Sequence, residues 1–387
     1  MSSAPISQTE ISPISDPSRL QSMAIELLQN ANIQVNGNRP WDIQLHEEGV
    51  LEEAMARGNL GFGESYMDGA WDAKRLDEFF FQLMRSRLTD HFQPWRLAGY
   101  VLAARMFNRQ TMKRAWQVGQ AHYDLGNNFY SAMLDSRMTY TCGYWENANN
   151  LEQAQEAKLD MVCRKLQLKP GMRVLDIGCG WGSFMSYATK HYGVECVGVS
   201  ISKEQVQWAQ EKYKDMALEF RLQDYREINE PFDSIVSIGM FEHVGRKNYR
   251  TYMEVAHRCL ADDGLFLLHT IGKNMRHSIS DPWVDKYIFP NGELPSAGQI
   301  GDAVDELFVI EDVHNFGADY DKTLMAWHQN FEAAWPRFAA KLGDRFYRMW
   351  RYYLLSCAGA FRARDIQLWQ WVLSKKGVVG GYHRHQI

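Results

Sequence analysis

The sequence predicts an α/β fold, a doubly wound and mostly parallel sheet with a smaller N-terminal domain. Three observations predict it. From Lys169 onward, short apolar and β-branched runs alternate with helical stretches at the spacing of parallel strands joined by crossover helices. A glycine-rich turn joins the first such run to the first helix, the place where these sheets bind ligands. A length of 387 residues exceeds one typical domain and leaves room for a second.

The elements follow in chain order. Residues 1–16, MSSAPISQTEISPISD, have no basic n-region and no apolar h-region, so they read as a flexible tail and not a signal peptide. Pro17–Ala31 carries Leu20, Met23, Leu27 and Leu28 on one helical face. The glycines of Asn59–Gly69 read as turns, and Phe- and Leu-rich helices run on to about Asn108. Residues 17–108 thus form the expected small, lipid-related domain, 109–120 a basic linker, and 121–387 the catalytic domain. In the last, strands are expected at Arg173–Ile177, Glu195–Val199, Leu218–Leu222, Asp233–Ile238 and Leu265–Ile271. Helices are expected at Ser183–His191, Lys203–Tyr213 and Tyr249–Leu260. Two long helices, Thr323–Lys341 and Arg345–Ala360, precede a late strand at Gln367–Ser374.

Composition narrows the function classes. With 45% hydrophobic and 23% charged residues the chain is globular, which excludes collagen, coiled coil and wholesale disorder. No apolar run approaches the ~20 residues that cross a bilayer. Six cysteines at 142, 163, 179, 196, 259 and 357 form no CxxC pair, so thiols in a reducing cytoplasm are expected, with no disulfide and no metal. The net charge of −5 is unevenly spread. Residues 85–120 hold seven Lys/Arg against Asp90, and residues 341–387 hold nine against Asp344 and Asp365. Two readings of these segments stand side by side: solvated helix faces, or a surface for anionic lipid headgroups. Nucleic acid is disfavoured by the acidic balance elsewhere.

The turn itself is Asp176-Ile-Gly178-Cys-Gly180-Trp-Gly182, a GxGxG spacing and not the GxGxxG of a dinucleotide site. Glycines let the backbone approach a ligand without Cβ interference. Asp176, two residues before the first glycine, favours a sulfonium over a pyrophosphate, so S-adenosylmethionine is the expected cofactor. No acid stands directly at the end of the second strand, where ribose hydroxyls are commonly held. Ser200, Ser202, Gln205 or Glu204 would take that part. Gln223, Asp224 and Tyr225 end the third strand, where Asp224 can accept from an adenine amine and Tyr225 can stack. Each of these also suits an ordinary turn.

Several segments together resemble the cyclopropane-fatty-acyl-phospholipid synthases. They are Met138–Trp145 (MTYTCGYW), the DIGCGWG turn, Gly239–Gly245 (GMFEHVG), Leu268–Gly272 (LHTIG) and Asn315–Tyr320 (NFGADY). Cys357–Asp365 (CAGAFRARD) and Gly61–Gly69 (GFGESYMDG) extend the likeness over nearly the whole chain, as in the two-domain phospholipid enzymes. The resemblance implies methyl transfer from S-adenosylmethionine to a cis double bond of a membrane phospholipid acyl chain, then loss of a proton and ring closure. It implies a bound bicarbonate as proton acceptor, a homodimer, and a cytoplasmic protein peripherally associated with the inner face of the membrane. Carried over residue by residue, it places Cys142, Glu242, His269, Tyr320 and the backbone of Ile271 at the bicarbonate, with Tyr140 and Thr141 joining the cofactor set.

Independently of the family, Glu242 and His269 follow successive apolar strands and fall at the carboxyl edge of the sheet. Glu242 then either orients the bicarbonate or holds His269 in its tautomer. Cys142 reads as a packing and hydrogen-bonding group beside the cofactor methyl, since alkene methylation needs no covalent intermediate. Cys357 reads as structural. Some of the 50 aromatics can wall a carbocation, with Tyr140, Tyr144, Trp145, Phe241, Phe316 and Tyr320 in or beside the motifs. Two other functions fit the same scaffold: a methyltransferase making methyl-branched lipid or methylating a small amine, and a non-catalytic lipid-surface module.

Overall fold

The computed structural model describes residues 19–87, 126–276 and 280–384. The expected tail, the linker at 109–120 and the boundary near residue 108 lie outside the described residues.

The N-terminal part holds α1 (Arg19–Asn30), β1 (Gln44–Leu45), α2 (Val50–Arg57), α3 (Asn59–Met67), β2 (Trp71–Asp72) and α4 (Leu76–Arg85). Residues 59–69 were expected as turns but are mostly helix α3. Its glycines serve space: a Cβ at Gly63 would stand 2.4 Å from the buried ring of Trp283. That packing comes from more than 200 residues away, so local composition could not announce it.

The second part begins with α5 (Asn127–Met133) and α6 (Leu151–Lys165), the latter capped by Asn150, whose side chain accepts from Gln153 N. Strands β3 (Arg173–Ile177), β4 (Glu195–Ser200), β5 (Leu218–Leu222) and β6 (Phe232–Ile238) alternate with α7 (Ser183–Tyr192), α8 (Lys203–Lys212) and α9 (Tyr249–Cys259). Then come β7 (Leu260–Lys273), α10 (Pro282–Tyr287), α11 (Ala297–Val304), β8 (Val309–Asn315), α12 (Ala318–Ala334), α13 (Ala339–Ala363) and β9 (Ile366–Ser374).

The seven-stranded sheet has the order β5-β4-β3-β6-β7-β9-β8, with β9 antiparallel to both of its neighbours. The expected doubly wound, mostly parallel sheet is therefore present. Helices α6, α7 and α8 cover one face, and α9 and α11 cover the other. The first long helix sits earlier than expected, because Pro336 lacks the N–H that a continuing helix needs and a 3-10 turn at Trp335–Arg337 intervenes. Helix α13 is broken at Gly343 (φ +74°, ψ 167°), so its long run starts beside Arg345 as expected. Helices α12 and α13 share one hydrophobic core with α1 to α4, where Tyr352 of α13 meets Trp71, Phe80 and Tyr66 edge-on or tilted at 5.0–6.5 Å.

Four arginines of the basic C-terminal segment are paired within the protein. Arg345 pairs with Asp68 at 2.8 Å, Arg351 with Glu332 at 3.1 Å, and Arg362 with Asp77 and Asp321 at 2.9 Å each. Arg348 donates to the backbone carbonyls of Tyr66 and Trp71 and pairs with Asp72. Arg348, Arg351 and Arg362 are mostly covered, while the Arg345–Asp68 pair remains more than half exposed on a solvated face.

Candidate active site

A cavity of about 440 Å³ opens at the carboxyl edge of the parallel strands, walled on its other side by α4, α12 and α13. Strand β3 delivers Asp176 and the glycine turn to it. Gly178 has φ +88°, and a Cβ there would stand 2.7 Å from that of Met240, so both backbone and space demand glycine. Gly180 also lines the cavity, and where its Cβ would stand only Gln205 Nε2 comes within 4 Å. Gly182, expected with them, is not in the wall: it precedes α7, and a Cβ would strike Phe220 at 2.7 Å.

The other expected cofactor residues do converge. Ser200, Ser202 and Gln205 line the cavity and bond to one another, with Ser200 Oγ donating to Gln205 Oε1 at 3.2 Å and Ser202 capping α8. Glu204 is exposed and stands outside the wall. Gln223, Asp224 and Tyr225 line the same end, where the Asp224 carboxylate accepts from Arg226 N at 3.0 Å and Arg226 Nη1 at 2.8 Å. Tyr140 and Thr141 also face the cavity, with the Tyr140 and Tyr353 hydroxyls 2.9 Å apart.

A residue that the sequence reading passed over joins them. Lys158 of α6 is buried, lines the cavity and donates to Thr141 Oγ1 at 3.0 Å. Burial pushes it down to about 8 and pushes Asp176 up to about 7, each resisted by the other's charge. Lys158 and Lys165 occupy the apolar stripe of α6 together with Ala154, Met161 and Val162, and charge at stripe positions was the available signal.

Glu242, His269, Ile271 and Tyr320 line the same cavity. His269 lies opposite Ile238, the last residue of β6, and its carbonyl accepts from Gly239 N at 2.9 Å. Glu242 Oε1 accepts from Ile271 N at 2.6 Å. Its Oε2 and the His269 Nε2 are both buried without a partner. Burial pushes Glu242 up to about 7 against the lowering pull of the Ile271 N–H, and drives His269 well below its ordinary range. Tyr320 stacks on Phe361 at 4.5 Å and stays protonated, since burial raises it strongly.

Cys142 does not reach the wall. It is fully buried, its thiol donates to Gly143 O at 3.1 Å and lies 3.8 Å from Thr323 Oγ1, and burial pushes it well up. A buried neutral thiol of this kind packs and does not attack. Cys357 is at the wall, with its thiol pushed up to about 12 by burial. Of the aromatics named from sequence, Tyr140 and Tyr320 line the cavity. Phe241 stacks on Tyr249 in the sheet's core, Trp145 donates to Thr323, and Phe316 sits against the His269 ring at 5.7 Å beside Tyr144. Phe80, Phe289, Tyr353 and Phe361 complete the aromatic wall.

Residues 110–371 match the family described as mycolic acid cyclopropane synthetase. The chain belongs to that family. It is 55% identical over 364 residues to the cyclopropane-fatty-acyl-phospholipid synthase of Escherichia coli K12, covering 93% of this chain and 94% of that one. It is 34% identical to cyclopropane mycolic acid synthase 2 of Mycobacterium leprae, over 69% of this chain and 96% of the relative. Among solved structures, mycolic acid cyclopropane synthase CmaA1 complexed with SAH and CTAB superposes with a TM-score of 0.64 at 34% identity, over 67% of this chain and 98% of that one. Coclaurine N-methyltransferase, at 22% identity and a TM-score of 0.68 over 81% of this chain and 98% of that one, shares the fold.

Proposed function

We propose that the chain uses S-adenosylmethionine to methylate the cis double bond of an unsaturated phospholipid acyl chain and closes a cyclopropane ring there. The observation that carries this reading is one aromatic-walled cavity lined both by the glycine turn and by Glu242 and His269, whose Oε2 and Nε2 are buried without a partner. The cyclopropane synthases among the relatives named above support this reaction, and SAH is what S-adenosylmethionine becomes on giving up its methyl group.

The residues suit each requirement. An alkene is a weak nucleophile, so the sulfonium must be held in line with it and water kept out. Asp176, the Gly178–Gly180 backbone and the Ser200–Gln205 cluster hold the cofactor, and Gln223, Asp224 and Tyr225 bound its adenine end. Tyr140, Tyr320, Tyr353 and Phe361 exclude water, and each well-placed ring face stabilises a passing cation by roughly 0.5–2 kcal/mol. The open pair at Glu242 and His269 fits a small oxyanion that both accepts and donates, as bicarbonate does, and Tyr320 and the Ile271 backbone stand beside it. When bound, S-adenosylmethionine supplies the methyl group and bicarbonate supplies a base that does not itself become methylated. Glu242 as carboxylate accepts from the O–H of that anion and raises its basicity.

Residues 17–108 form the lipid-related domain of this reading and 121–387 the catalytic one. Docking on the anionic inner face of the membrane falls to the segment 85–120, with seven basic residues against one acid, because the C-terminal arginines are already paired. The homodimer is carried over from the family.

Purified chain, S-adenosylmethionine and vesicles of unsaturated phospholipid test the proposal. Acyl chains should gain one CH₂ and lose their double bond, and bicarbonate-free buffer should slow the reaction until the ion is restored. Methylated chains that keep a double bond, or methylation of amines alone, would instead assign a different methyltransferase, and no cofactor binding would leave a lipid-surface module.

A further inference from the structure

The sheet supplies His269 with a partner that neither the motifs nor the reaction named. Gln370 of β9 lies between His269 of β7 and His314 of β8, cross-strand neighbour to both. Its Nε2 is 3.1 Å from His269 Nδ1, and its Oε1 accepts from Lys165 Nζ at 2.8 Å. Lys165 reaches in from α6 and is also 2.9 Å from His314 Nδ1 and 4.0 Å from Asp312. His269, Gln370 and Lys165 are each at most 2% exposed.

We propose that Lys165 and Gln370 are positioning residues that fix His269 as the Nε2–H tautomer, so that it presents a hydrogen-bond donor to the reaction cavity. Burial lowers Lys165 to about 7 against the raising pull of Asp312, and as an ammonium it has no lone pair, so it meets the amide only through the amide's oxygen. Gln370 Oε1 is thereby committed to Lys165, and its NH₂ is turned toward His269. An amide NH₂ only donates, so His269 Nδ1 must offer its lone pair. The single proton of the neutral ring is then on Nε2, the buried atom with no partner in the protein. A doubly protonated ring would set an N–H against an N–H at Nδ1, and the nearby Lys158 and Lys165 charges disfavour it further.

This inference rests on the proposed function for its consequence: His269 holds the small oxyanion through Nε2–H and does not itself take the substrate proton. It also settles the two parts open to Glu242. The carboxylate is bonded to the Ile271 backbone, and the tautomer is set by Gln370 on the opposite side of the ring.

The test uses the full chain with ¹⁵N-labelled histidine, the His269 signal being assigned by its loss in His269→Phe. Long-range ¹H–¹⁵N spectra distinguish the two neutral tautomers and the imidazolium. The wild type should show Nε2–H. In Gln370→Glu the new carboxylate accepts from Nδ1–H, so the signal should move to the Nδ1–H or doubly protonated pattern. Turnover should fall by about 10–100-fold, the size of loss seen when an outer partner of a functional histidine is removed, with the KM for S-adenosylmethionine unchanged. Lys165→Met frees the Gln370 amide to rotate and should give a mixture of tautomers with a smaller loss. An Nδ1–H pattern in the wild type, or a Gln370→Glu protein with the wild-type pattern and rate, would overturn the proposal. Because the spectra need no turnover, an Nε2–H signal in a protein that never cyclopropanates lipid would refute the reaction and leave the tautomer assignment intact.

Discussion

Glu242 is a carboxylate whose behaviour is set by where the chain folds it. Burial lifts it to about 7, so its ionised fraction grows as pH rises through that value. If the ionised form is the one that accepts from the bound anion, kcat/KM should rise with pH through about 7, and Glu242→Gln should lose that limb. The same substitution should slow turnover about 100-fold or more, within the usual range for an acid–base group, with cofactor affinity nearly unchanged by calorimetry. A normal rate in Glu242→Gln would remove it from the site. Gly178 makes the complementary case at the cofactor end. Gly178→Ala faces both a left-handed φ and a 2.7 Å approach to Met240, so cofactor binding should fall below detection in titration calorimetry while the described helices keep their circular dichroism.

Helix α13 is the element that joins the two ends of the chain, and Arg348 is its fastening. Arg348→Met would remove one hydrogen bond from each of the Tyr66 and Trp71 carbonyls and one ion pair from Asp72, at about 0.5–1.5 kcal/mol for each hydrogen bond lost. Scanning calorimetry should therefore show a lower Tm, while the folded variant binds anionic vesicles as the wild type does. Vesicle binding that weakens with an unchanged Tm would return this arginine to a docking role. The elements also show what sequence can and cannot announce. Strands β3, β4, β6 and β7 were legible because a parallel strand buried on both faces must be a near-continuous apolar run, while β5 (LEFRL) is a half-exposed edge whose apolar residues alternate with Glu219 and Arg221. The glycines of α3 were misread because their reason is the ring of Trp283, and β8 was passed over because VIEDVHN is a half-exposed edge with charges along it. At the site, the motif-borne Glu242, His269 and Tyr320 came together as expected. Gly182 and Cys142 did not reach the cavity, since each serves packing one layer behind it. Lys158, Lys165 and Gln370 escaped because a buried lysine looks like a surface one until its partners, as much as 205 residues distant, are known.

For the whole molecule, no described helix is long and apolar enough to cross a membrane, yet the proposed substrate belongs to one. The account resolves this through charge: residues 85–120 carry an excess of six positive charges, and long-range attraction to anionic lipid is screened by salt. Binding to anionic vesicles should weaken steeply as ionic strength rises, and neutral vesicles should bind poorly at any salt. Salt-indifferent binding would place the docking energy elsewhere.

If this cavity turns a double bond into a three-membered ring, the acyl chains themselves record it. The decisive measurement is a mass and proton NMR profile of phospholipids from cells with and without the protein. Lipids from cells with the protein should show chains heavier by one CH₂, a matching loss of olefinic protons and new ring protons upfield. Unchanged lipids in cells holding folded protein and ample S-adenosylmethionine would contradict it.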